Sequence, residues 1–283
     1  MVAQEASRQV LNRLYRALMP FDEPELRQLL RSDGFVLTPL ADGVCIGIDE
    51  VIEDLRRWCG ALGDRGERLQ LRSAGVVTGV SPSGTAVWLF DRVTAAATRA
   101  GEGVCGIEIR VTALLVYDAE WRVAAAYWSV PYETQQQQDR VKATGKLVPG
   151  IEFPQNAGSS TNAAAELLAA ALAEPRLLPD LYAMDSSHVT IGSVADEVFL
   201  GPAGHAAWSE FVQFVDSFEL RGPMRGATVG SDAAWLAANI DVGQPPTPYR
   251  FFYVWARYQE GWRICISHDA VTRDPFTAGA PTP

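Results

Sequence analysis

The sequence predicts an α+β protein that repeats one small fold in tandem, helices first and an antiparallel meander after. Three observations carry this. The stretch "EWRVAAAYWSVP" at 120–131 returns about 140 residues later as "GWRICISHDAVT" at 261–272. Helical and strand patterns follow the same order in both halves. Single residues also match at matching places. Gly47 and Gly201 precede the third helix, each 12 residues after the start of the first strand at Phe35 or Val189. Trp88 in "AVWLFD" matches Trp235 in "AAWLAA". With 283 residues, each copy is long enough to close its own core, so the repeat is a duplication and not a solenoid.

The first copy spans 5–133. "SRQVLNRLYRAL" puts Val10, Leu11, Leu14 and Leu18 on one helical face. "DEPELRQLLR" is a second short helix, with Pro24 suited to its first turn. "DGFVLTPLADGVCIG" reads as two short strands around an Asp-Gly turn. "IDEVIEDLRRWCGAL" is the third helix, open to capping by Asp49, with Val51, Leu55, Trp58 and Leu62 as its apolar stripe. Three long strands follow at about 69–80, 85–98 and 104–117, and a last one at 121–130 after the turn "DAE".

Residues 134–160 read as a linker, with a glutamine run, prolines and glycines and few apolar side chains. The second copy spans 161–274. "TNAAAELLAAALAE" and "LPDLYAM" supply helices, "HVTIGS" and "EVFLG" the strand pair. "GHAAWSEFVQFVDSF" is the third helix, with Trp208, Phe211, Val215 and Phe218 as its stripe. Strands follow at about 219–230, 233–243, 249–259 and 262–270, and 275–283 reads as a flexible tail.

Charge and composition exclude several function classes. There are 34 acids against 24 bases, a net charge of −10, which disfavours nucleic acid and anionic lipid as partners. No secretory signal opens the chain and no window of 18 apolar residues could span a bilayer, so a cytoplasmic protein is expected. The four cysteines form no CxxC pair and read as buried thiols; the three histidines have no metal-ligand spacing. No metal and no cofactor are expected. "GEGVCG" leads into a strand and is not a dinucleotide fingerprint.

"IGIDEVIEDLRRW" followed by "IEIRVTALLVYDAEWRVAAAYWSVP" resembles the SnoaL-like branch of the NTF2-like superfamily. The resemblance covers nearly all of 5–133 and extends, more divergently, over 162–274. It implies a cone in each copy, a bent antiparallel sheet wrapped around about three helices with a pocket between. The family holds isomerase-like and cyclase-like enzymes, and also binding and assembly modules. A hydrophobic small molecule is the expected partner. Family members often pair as dimers, so the two halves are expected to pair within one monomeric chain.

Candidate site residues follow from strand alternation. Arg122 suits water, which turns Trp121, Val123, Ala125, Tyr127 and Ser129 inward; the same register turns Trp262, Ile264, Ile266 and His268 inward. Tyr127 and His268 then occupy equivalent positions as polar tips of apolar rows. His268 could serve as a general base, against the plainer reading of a buried histidine bonded to backbone or water. Asp91 shares a face with Val87, Leu89 and Val93, where burial would raise its pKa. These three are the catalytic candidates. Trp58, Trp88, Arg110, Ser129, Trp235 and Phe251 are the candidate ligand-binding residues. Matching Glu108, Arg110, Thr112 and Leu114 to Tyr249, Phe251, Tyr253 and Trp255 leaves two readings of the aromatic stripe. It lines a pocket, or it packs against the partner copy. Function divides likewise: cofactor-independent acid–base chemistry of isomerase, cyclase or hydrolase type, or non-catalytic binding, or a structural pseudo-dimer with collapsed pockets.

Overall fold

The computed structural model describes residues 2–38, 43–64, 67–99, 105–133, 162–215 and 217–272. The expected linker and tail lie outside these residues. The chain forms two compact units, the first holding nearly all described residues up to Val130, the second those from Pro131 onward.

In the first unit, α1 (Val2–Leu18), α2 (Glu23–Leu29) and α3 (Ile48–Asp64) accompany strands β1 (Leu30–Leu37), β2 (Val44–Ile46), β3 (Glu67–Val80), β4 (Ala86–Arg99), β5 (Cys105–Asp118) and β6 (Glu120–Ser129). The curved sheet runs β2-β1-β6-β5-β4-β3. The expectation of a wholly antiparallel sheet is corrected at one place: β1 and β6 pair in parallel, while every other pair is antiparallel.

Local chemistry explains the helices. The predicted face of α1 is buried, with Tyr15 added to it. Asp22 caps α2, its side chain accepting from the Glu25 N–H at 3.1 Å, and Pro24 sits where a missing N–H costs nothing. Gly47 has φ 82°, a left-handed turn that only glycine makes without strain, and α3 begins directly after it. The stripe of α3 is rotated from expectation. Val51, Ile52 and Cys59 are buried, whereas Trp58 is 37% exposed. The core joins Leu11, Leu14, Leu26 and Ile52 to Leu89, Val93, Val111 and Leu115 of the sheet.

The second unit repeats this plan with α4 (Asn162–Ala173), two 3-10 turns (Pro175–Leu177 and Pro179–Leu181) and α5 (Pro202–Phe214). Its strands are β7 (Val189–Ile191), β8 (Val198–Leu200), β9 (Phe218–Leu220), β10 (Arg225–Val229), β11 (Ala233–Val242), β12 (Thr247–Tyr258) and β13 (Gly261–Val271). The sheet runs β10-β11-β12-β13-β7-β8, with β9 also on β11, and β13–β7 is parallel just as β6–β1 is. The single strand predicted at 219–230 is two, because Gly222 at φ 73° and Pro223 break it. Gly201 has φ 56° and opens α5, as Gly47 opens α3.

Each unit carries the same irregularity. Leu114 pairs with Ala125 but Leu115 with Val123, so Ala124 is an extra residue in β6. Val254 pairs with Ile266 but Trp255 with Ile264, so Cys265 is the extra residue in β13. Each is a β-bulge, and each reverses which side chains face the helices downstream. Aligning the bulges also corrects the third-strand match by one residue. Arg110 corresponds to Arg250, and both are fully buried. The aromatic row Tyr249, Phe251, Tyr253 and Trp255 corresponds to Ile109, Val111, Ala113 and Leu115. It packs into its own unit's core with Leu168 and Trp208.

Candidate ligand-binding site

Within the second unit a partly open cavity of about 440 Å3 lies between α5, the inner face of the sheet and the β7–β8 connection. One wall is aromatic. Trp208 and Phe211 come from α5, Tyr249 and Phe251 from β12. Their rings contact one another: Trp208–Phe211 at 5.3 Å edge to face, Tyr249–Phe251 at 6.0 Å, Trp208–Phe251 at 6.3 Å. Phe251 is also stacked on Tyr253 at 5.6 Å, so the β12 side of the wall is braced. Phe214 at the end of α5 is 77% exposed and forms the rim.

The rest of the lining mixes apolar Phe199, Ala207 and Val242 with polar and acidic side chains. Asp269 pairs with Phe251 across β12 and β13 and projects from the same face. Glu197 and Glu210 also line the cavity; Glu197 Oε2 accepts from the Val194 N–H at 2.8 Å. Ser193 is 4% exposed, and its Oγ has no hydrogen-bond partner among the described residues. Thr190 Oγ1 lies 3.1 Å from His188 Nε2. His188 is fully buried against the Tyr182 ring, and burial pushes its pKa down to about 4, partly opposed by Asp185. Trp208 Nε1 donates to Ser267 Oγ at 3.3 Å, which fixes the indole over the sheet.

The sequence-derived residues divide among four places. Phe251 lines the cavity. Asp91 lies on the inner face of the first unit, as expected, among buried Leu89 and Val93. Tyr15 Oη donates to its Oδ2 and Ser73 Oγ to its Oδ1, both at 2.9 Å. Burial raises the Asp91 pKa, and the two hydroxyl bonds pull the other way.

The bulges put Tyr127, Ser129 and His268 elsewhere. Tyr127 and Ser129 pair with Thr112 and Arg110 and lie on the face opposite the helices, not on the Trp121 face. His268 pairs with Phe252 on the outer face of its own sheet, so it does not enter the cavity. Alternation from Trp262 fails there because Cys265 adds one residue. Trp88, on that outer face in the first unit, covers Gly79, and Trp235 stacks on Phe252 at 6.3 Å. Trp58 stands partly exposed on α3.

Sequence reasoning missed Ser193, Asp269 and His188. Asp269 was adjacent to the chosen histidine, and the available signal was the Trp128 equivalence: an acid replaces a tryptophan at one repeat position. In the first unit Trp128 packs on the core, edge to face with Tyr15 at 6.2 Å.

Among the described residues, no group of three or more His, Cys, Asp or Glu side chains is placed to hold a metal ion. No helix among them is long and apolar enough to cross a membrane.

No family model matches the chain, and no curated protein matches it. Several solved structures are similar to it in chain path. A putative dehydratase of the NTF2-like family from Streptomyces avermitilis is 14% identical over 46% of this chain and 97% of its own, with a TM-score of 0.39. ActVI-ORFA from Streptomyces coelicolor is 10% identical over 46% of this chain and 98% of its own, with a TM-score of 0.42. A Catenulispora acidiphila protein in complex with S-DNPA is 16% identical over 50% of this chain and 98% of its own, with a TM-score of 0.41. At these identities the fold described above rests on this chain's own strands, helices and bulges.

Proposed function

We propose that this chain is a small-molecule binding protein and that the cavity of the second unit is its site. The observation that carries the reading is the cavity itself: about 440 Å3, half open, with a braced aromatic wall facing a few polar groups. That size and lining suit a compact ligand with an apolar body. The first unit, with Trp128 in place of Asp269, has that position packed.

Native mass spectrometry of the chain purified from cell extract is the test, beside the variant Ala207→Phe, which adds a ring at the cavity wall. The expected result is a retained small molecule on the natural chain and none on a folded Ala207→Phe. Equal retention by both places the ligand elsewhere and ends the reading.

A second reading is acid–base chemistry at Asp91, which is buried on the inner face of the first unit with Tyr15 and Ser73 donating to its two oxygens. Under it, Asp91→Asn abolishes turnover of a bound molecule while Ala207→Phe does not.

A further inference from the structure

We infer that Tyr132 is a positioning residue of the second-unit cavity: its main chain straps the β7–β8 connection in place, and release of that strap gates the passage of a ligand. The inference rests on the cavity being a binding site and adds how access to it is controlled.

The wall concerned is the connection at 192–197. Gly192, Ser193 and Glu197 from it line the cavity. The connection closes on itself. Gly192 N–H donates to Glu197 O at 2.8 Å, Glu197 N–H donates to Val194 O at 3.0 Å, and Glu197 Oε2 accepts from Val194 N–H at 2.8 Å. Gly192 lets the Glu197 side chain lie over the turn, since a Cβ there would stand 2.4 Å from Glu197 Oε2. A turn bonded within itself in this way shifts as a unit.

Tyr132 reaches the turn from far along the chain. Its N–H donates to Ser193 O at 2.9 Å, and its O accepts from Ala195 N–H at 2.7 Å. The two bonds make an isolated parallel bridge between Tyr132 and Val194, and both residues are buried. Tyr132 clusters with the second unit although it comes shortly after β6 ends at Ser129. The chain past β13 behaves differently: Thr272 N–H donates to Pro248 O, within the sheet that β13 already belongs to. The strap is therefore no part of the repeated plan. It is an addition at a connection that walls the hollow.

A single bridge is a modest tie. Each of its bonds is exchanged for one to water on release, so detachment is a local opening well short of unfolding the sheet. Attached, the turn keeps Gly192 and Glu197 against the cavity. Detached, it carries them away together, and openings of this kind set the exchange rates of bound molecules.

The test uses the full chain carrying Tyr132→Cys and Val194→Cys together, because bridge partners lie within the Cα span a disulfide needs. Stopped-flow fluorescence with N-phenyl-1-naphthylamine, a neutral apolar probe, measures entry and release, and Ala207→Phe marks the signal that comes from the cavity. Oxidising the pair with diamide is expected to slow entry and release together by about fivefold or more, with the dissociation constant nearly unchanged. Dithiothreitol is expected to restore both rates. The natural chain, whose Cys45, Cys59 and Cys265 are buried, receives the same treatments as a control. Tyr132→Pro, which removes the donor to Ser193 O, is expected to speed both rates by a similar factor. Either measurement decides alone where the other variant fails to fold or to cross-link. Equal rates for the oxidised and reduced pair, unaltered rates in Tyr132→Pro, or a change in affinity alone overturns the inference and leaves the cavity a binding site. No probe bound by the natural chain, or equal binding by a folded Ala207→Phe, overturns both.

Discussion

Tyr15 Oη donates a hydrogen bond to Asp91 Oδ2 at 2.9 Å, joining α1 to β4 inside the first unit. Burial raises the carboxyl's pKa despite that bond, and raises the phenol's well above its usual value. The folded state therefore holds the Asp91 proton more tightly than the unfolded chain does. Its contribution to stability is present below the ordinary carboxylate value and is lost as pH rises through the raised one.

Asp91→Asn is accordingly expected to cost most at low pH and progressively less as pH rises through that window, measured by denaturant unfolding at several pH values. A cost that grows with pH would mean that the folded pKa lies below the unfolded one. Tyr15→Phe, which strips one donor from a buried acid, is expected to destabilise by about 1–3 kcal/mol.

His188 gives a second pH signature of the opposite kind. Its folded pKa is pushed down to about 4 from an ordinary value of 6.5, so the folded state binds fewer protons. Stability is complete above 6.5 and falls as pH drops towards 4, by about 3 kcal/mol in total. His188→Gln should flatten this slope in thermal melts between those limits; an unchanged slope would assign it to other groups.

Gly79 faces Trp88 across β3 and β4, and a Cβ placed there would lie 2.2 Å from the indole. Gly79→Ala should destabilise by about 2 kcal/mol or more, through displacement of a buried ring. Combined with Trp88→Leu, it should cost less than the sum of the two single changes. Strict additivity in that double-mutant cycle would show that the contact is not the source of the cost.

Gly201 holds φ 56° and ψ −137° at the start of α5. Gly201→Ala should cost about 1–3 kcal/mol from backbone strain, and Gly47→Ala, at φ 82°, should also destabilise. Chemical denaturation of each variant checks this; neutral substitutions would mean that the turns relax.

Much of this architecture was legible because duplication writes its signals twice. Gly47 and Gly201 match because both make the same left-handed turn ahead of a helix. The Trp-Arg repeats at 121 and 262 match because both open a last strand of the same sheet order. Asp91 was legible as a buried acid from its apolar neighbours on alternate positions. The cavity was not. Strand alternation projects a side chain correctly only while the pairing is regular, and neither Ala124 nor Cys265 carries a glycine or proline to announce the extra residue. The reading from Trp262 therefore turned His268 inward and Asp269 outward, the reverse of what the pairing with Phe252 and Phe251 gives. The parallel pairing of the first strand in each unit was also invisible, since strand patterns do not encode direction.

Cys265 thus splits its own strand into two mutational dialects. A residue-by-residue scan past it should alternate between two readouts. Asp269 reports on what the hollow holds and Ser267 on the seating of Trp208 above it, whereas Ile266, His268 and Ala270 report on how firmly the opposite surface of the sheet is seated. Deleting Cys265 would make the pairing regular and leave both sets where they are, with the Asp269 carboxyl still in the hollow and the His268 imidazole still on the opposite surface.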